Sequence, residues 1–187
     1  MKSKTFLAAI AFLLLSVSVS YSQYLNQDVK LNLKKNINTV SAVKPAGANV
    51  TLGAGLGFAF VKGNTGAAVA MFSELKFDKF SFVPTASYWK VEDRSNFEMA
   101  AIGRYTLTST NMRPYFDAGI GFNFYDNNNT GTSFTKIGLS IGAGLDFPNL
   151  IENAVVFIDG KYKVIINDDE ERNIEGYTLI GGIKFLM

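Results

Sequence analysis

The chain has 187 residues, 18 basic against 16 acidic, with no histidine and no cysteine, and 48% of it is hydrophobic. Without cysteine there can be no disulfide and no lipid-bearing cysteine at a signal-peptidase site. Without histidine the usual activator of a nucleophile and the commonest transition-metal ligand are both missing, and the balanced charge, lacking any basic stripe, excludes a nucleic-acid partner.

The first 22 residues read as a secretory signal. Lys2 and Lys4 precede an apolar stretch from Phe6 to Val19, and Ser20-Tyr21-Ser22 offers small residues to a signal peptidase, which makes Gln23 the expected mature start. At about 14 residues the apolar stretch is short of the roughly 20 that a spanning helix needs. Removing the two signal lysines leaves 16 basic and 16 acidic residues, a formally neutral mature chain. Residues 23–48 carry Lys30, Lys34, Lys35 and Lys44-Pro45-Ala46-Gly47 and lack the regular alternation of the rest of the chain. They are expected to form an N-terminal periplasmic extension or linker ahead of a domain over 49–187.

From there the pattern becomes strands and turns at steady spacing. Strands are expected near 50–61, 65–77, 79–91, 96–107, 113–125, 133–147, 153–166 and 175–187. Gly, Asn, Asp and Pro mark the breaks, at Lys62-Gly63-Asn64, Asp78, Asp93 to Asn96, Ser109 to Asn111, Asp126 to Gly131, Pro148-Asn149 and Asn167 to Asn173. Strands this long suit a tilted crossing of an apolar layer about 25 Å thick.

The two faces of these strands differ sharply. In the first, Val50, Leu52, Ala54, Leu56, Phe58 and Phe60 alternate with Thr51, Gly53, Gly55, Gly57 and Ala59. Bulky apolar residues continue on one face through Met71, Phe82, Met99, Phe116, Ile120, Phe122, Leu139, Ile141, Ile158, Leu179 and Phe185. The other face holds Glu74, Lys76, Glu98, Arg104, Asp117, Lys136, Asp146, Asp159, Lys161, Lys163 and Lys184. A near-balanced set of charges on a glycine-rich face fits ion pairs inside a narrow lumen, since an unpaired buried charge is costly. Val83, Ile102, Phe157, Ile165 and Ile180 interrupt the alternation. Aromatic residues gather toward strand ends, as in the girdles of a membrane barrel. Phe58, Phe60, Tyr88, Trp89, Phe97, Phe124, Tyr125, Phe134 and Tyr177 are expected at one rim, and Phe77, Phe80, Tyr105, Tyr115, Phe116, Phe147 and Phe185 at the other.

Three small-residue strands carry a resemblance: Gly53-Ala54-Gly55-Leu56-Gly57, Gly119-Ile120-Gly121-Phe122 and Gly138-Leu139-Ser140-Ile141-Gly142-Ala143-Gly144. With the final strand, where Gly182, Phe185 and Met187 fit the spacing Gly-x-x-hydrophobic-x-aromatic except for a terminal Met, the sequence resembles the small outer-membrane β-barrel proteins, the OmpA/OmpX-like and porin-family eight-stranded barrels. The resemblance covers residues 48–187. It implies an all-β fold, an eight-stranded antiparallel up-and-down transmembrane β-barrel in a bacterial outer membrane. It also implies contact with outer-membrane lipid and lipopolysaccharide, and a last strand read by the barrel assembly machinery.

No cofactor or metal is expected. The first glycine cluster lacks G-x-G-x-x-G spacing, and the loop from Asp126 to Gly131 resembles the start of a calcium loop but has Ile137 where the bidentate Glu belongs. Asp168-Asp169-Glu170-Glu171 reads as a solvated acidic loop tip. Asp159 with Glu98 is the acid/base pair the charged face would offer, but mixed signs favour structural salt bridges, so the chain is expected not to be an enzyme. The expectation is a monomeric integral barrel with a structural or surface role and a lumen filled by side chains. Its alternatives are a small pore for ions or solutes, and a soluble secreted barrel that binds an apolar ligand as lipocalins do.

Overall fold

Period-two alternation produces eight strands, each running opposite to the one before it. The computed structural model describes residues 49–107, 112–166 and 173–186; the expected signal (1–22), the extension (23–48), the acidic loop tip and Met187 lie outside the described residues. The strands are β1 (Asn49–Val61), β2 (Asn64–Phe77), β3 (Phe80–Val91), β4 (Arg94–Thr106), β5 (Arg113–Asn127), β6 (Thr132–Ile151), β7 (Ala154–Ile165) and β8 (Ile174–Leu186). Each pairs antiparallel with the next, and β8 pairs with β1 to close a barrel with no free edge.

Two-residue turns set several registers. Lys62 and Gly63 both take positive φ (52° and 85°), the conformation of a type I′ hairpin between β1 and β2. The break expected at Pro148-Asn149 is instead a register shift within β6, between Phe147 and Ile151, and the chain reverses at Glu152-Asn153, where Asn153 has φ 60°. Proline cannot donate to the ladder, so it marks an irregularity here without ending the strand. Similarly, Arg94 and Ser95 belong to β4, because Glu92-Asp93 suffices for the turn.

The register also fixes the width of the barrel. Hydrogen-bonded neighbours lead from Asn49 through Lys76, Ser81, Arg104, Asp117, Gly142, Lys161 and Thr178 to Ala59, displaced by about ten residues along β1. Such a shear tilts the strands by roughly 35–45° and leaves an interior that side chains can fill.

Large apolar side chains point away from this interior: Leu56 is 73% exposed, Phe80 64% and Ile141 62%, with Phe116, Ile120, Phe122, Leu139 and Phe185 also exposed. The five residues expected to interrupt the alternation of apolar and polar faces do so, while keeping the geometric phase of their strands. Val83, Ile102, Phe157, Ile165 and Ile180 are in phase with the inward face and buried, packed with Phe72, Trp89 and Val91 into the interior cluster. The lumen is therefore partly apolar. Four residues assigned to the rims are corrected for the same reason: Trp89, Tyr115 and Tyr125 are buried and inward, and Phe134 packs against the interior cluster.

Candidate functional site: the filled lumen

Glycine makes room for the large inward side chains. Ile102 lies across the ladder from Gly119, Phe72 from Gly53, Tyr115 from Gly144, Phe157 from Gly182 and Lys161 from Gly142. A Cβ on Gly53 or Gly144 would overlap the facing ring, and one on Gly119 would stand 2.9 Å from Ile102 Cγ1. Each inward ring thus lies over the wall of the neighbouring strand. We expect Gly144→Val, which overpacks this contact, to destabilise the barrel by about 1–3 kcal/mol. Outward Gly103→Ala, whose new Cβ would meet only a backbone oxygen at 3.7 Å, should be nearly neutral. Thermal unfolding of the two variants in detergent checks the contrast.

At the end of the barrel where β1 begins, the lumen holds a buried ion-pair network. Arg104 and Asp117 are direct cross-strand partners. The guanidinium grips the carboxylate side-on, with Nε 2.8 Å from Oδ1 and Nη2 2.9 Å from Oδ2. It also reaches Glu74 Oε2 at 3.3 Å and Asp159 Oδ2 at 3.6 Å, and lies 3.7 Å from the centre of the Tyr115 ring. Lys184 donates to Glu74 at 3.0 Å and to Asp146 at 2.7 Å. Lys161 pairs with Asp117 at 3.1 Å and with Asp159. Two hydroxyls complete the set, Tyr115 donating to Asp159 at 2.9 Å and Ser81 to Glu74 at 2.9 Å. Burial of this many charges is sustained because nearly every one has a charge-assisted partner.

A second, smaller group sits further along. Lys163 pairs with Glu98, and Ser87 donates to Glu98 at 3.0 Å while accepting from Lys163 at 3.2 Å. Nine of the eleven charges expected in the lumen are therefore brought into these two groups. Lys76 is half-buried at an inward position and forms no ion pair with a described residue, and Lys136 is half-buried at an inward position of β6. Asp159 and Glu98 do not form an acid/base pair, since each is bound to its own cations.

Beyond Glu98 the lumen turns apolar. Trp89 packs edge-on to Tyr125 at 6.2 Å, and Tyr125 stacks on Phe134 at 4.9 Å. Val61, Val91, Ile165 and Ile174 join the same cluster, and Asn96 donates to Asn123 at 2.9 Å beside it. Within the interior, a cavity among Ala70, Glu98, Lys161 and Thr178 measures about 20 Å³, the space of one water molecule.

No family model and no curated protein matches the chain by sequence. Similar solved structures do exist. Neisserial surface protein A is 17% identical, with a TM-score of 0.62 over 76% of this chain and 98% of that one. The N-terminal β-barrel domain of Pseudomonas aeruginosa OprF is 14% identical, with a TM-score of 0.58 over 75% and 99%. The outer membrane enzyme PagL is 19% identical, with a TM-score of 0.47 over 75% and 100%. In its closed, antiparallel, eight-stranded form, the chain has the fold of the small outer-membrane β-barrels.

Proposed function

We propose that this protein is a monomeric integral barrel of the bacterial outer membrane, with a structural or surface role and no enzymatic activity. One observation carries the reading: the barrel is inside-out, with exposed phenylalanine, isoleucine and leucine around its outside and ion pairs within. In water such a surface would drive association; in a bilayer it faces acyl chains, and closure satisfies every strand edge. Outer-membrane lipid and lipopolysaccharide are the partners this surface fits, with the assembly machinery acting on β8. The barrel that the first of the similar structures forms is, by its name, a surface protein. A soluble ligand-binding barrel needs the opposite arrangement, an apolar lumen with a polar exterior.

Against catalysis stands the pairing of the polar groups. Ser87 and Lys163 are adjacent, but the Ser87 hydroxyl donates to Glu98 and accepts from Lys163, so the lysine is not placed to take the proton that a serine nucleophile must lose. The ion-pair network and the apolar cluster beyond it oppose the pore reading. In planar lipid bilayers the purified, refolded protein is expected to leave the conductance at the level of the bare membrane. Regular single-channel steps would refute the filled lumen and make the protein a pore.

A further inference from the structure

The two ion-pair groups of the lumen are separated by the cavity of about 20 Å³, whose lining includes Ser87, Glu98, Lys161, Lys163 and Thr178. Glu98 is 4% exposed, yet it uses only one of its oxygens. Oε2 accepts from both Ser87 and Lys163, whereas no described residue donates to Oε1. An acceptor inside the lumen without a protein donor is ordinarily met by a water, which takes two to four polar partners. Donors are to hand. Lys161 gives two of its three N–H groups to Asp117 and Asp159, leaving one, and Lys163 gives two to Glu98 and Ser87, leaving one.

We infer that one water molecule is bound in this cavity, donating to Glu98 Oε1 and accepting from Lys161. It joins the Glu98–Lys163 pair to the Arg104 network, so that the polar interior becomes one hydrogen-bonded unit. A neutral dipole fits better than an ion here: Arg104, Lys161 and Lys163 around the cavity are already matched by Asp117, Asp159 and Glu98, and the space admits no hydration shell. Trp89, Val61 and Ile165 line a second space of about 20 Å³, which shares Lys163 and Thr178 with the first.

A high-resolution crystal structure of the full chain, refolded in detergent, tests this together with one of Ala70→Val. Ala70 lines the cavity, and the added methyls take the space of the water. The expected result is a single density peak within hydrogen-bond distance of Glu98 Oε1 in the unaltered protein, lost in Ala70→Val. An empty cavity, or Lys161 itself moved onto Glu98 Oε1, would overturn the inference. So would a peak that survives the valine, or one whose anomalous signal identifies an ion. The unaltered protein decides the matter if the variant does not fold.

Discussion

Arg104→Leu is expected to destabilise the barrel by about 3–5 kcal/mol, the cost of leaving buried charges without their partner. The guanidinium touches Asp117 through Nε and Nη2, Glu74 through Nη1 and Asp159 through Nη2. Its loss leaves three carboxylates with Lys161 and Lys184 as their remaining cations. Arg104→Lys should recover only part of the loss, because a point charge cannot grip Asp117 side-on. Asp146→Asn supplies the counter-case. Among the described residues Asp146 pairs with Lys184 alone and its buried Oδ1 has no partner, and Lys184 keeps Glu74. Its removal should therefore cost about 1 kcal/mol. Denaturant titration of the refolded proteins in lipid measures all three. Equal losses in Arg104→Leu and Asp146→Asn would contradict the network as described.

The second large effect belongs to the outside. Ile120 stands at the middle of β5 and is 54% exposed. With lipid around it, Ile120→Arg places a charge near the centre of the bilayer and should cost about 2–4 kcal/mol. The same change at Thr65, beside the Lys62-Gly63 turn, falls near the interface and should cost about 0–1 kcal/mol. If the barrel worked in water, the order would vanish, since an arginine on a solvated surface is harmless. Folding yields and denaturant midpoints of both variants in lipid vesicles separate the cases.

Much of this was legible because alternation and turn chemistry are local. The expected strand over 79–91 is observed as Phe80–Val91, and the inward phase of Arg104, Asp117 and Asp159 follows from counting in twos. Partner choice was not legible in the same way, because it depends on register. Arg104 meets Asp117 only because β4 and β5 pair with those two residues opposite each other. The inward aromatics were misplaced for a different reason. Tyr115 shares its phase with Asp117 and Asn123 and so points inward, but its position near a strand end also fitted a girdle. What resolves the conflict is Gly144 across the ladder, which leaves space for the ring. A bulky residue in phase with charges and paired with a cross-strand glycine is thus a readable sign of an inward side chain once the register is known. Pro148 misled in the opposite direction, as a bulge mistaken for a turn.

The central claim is a closed barrel held in a membrane by its outer surface. It is tested most directly by denaturing electrophoresis of the membrane fraction, with and without boiling. The unboiled protein is expected in that fraction and at a mobility different from the boiled form, because the closed barrel resists detergent. A protein found in the soluble fraction, with one mobility whether boiled or not, would contradict the account.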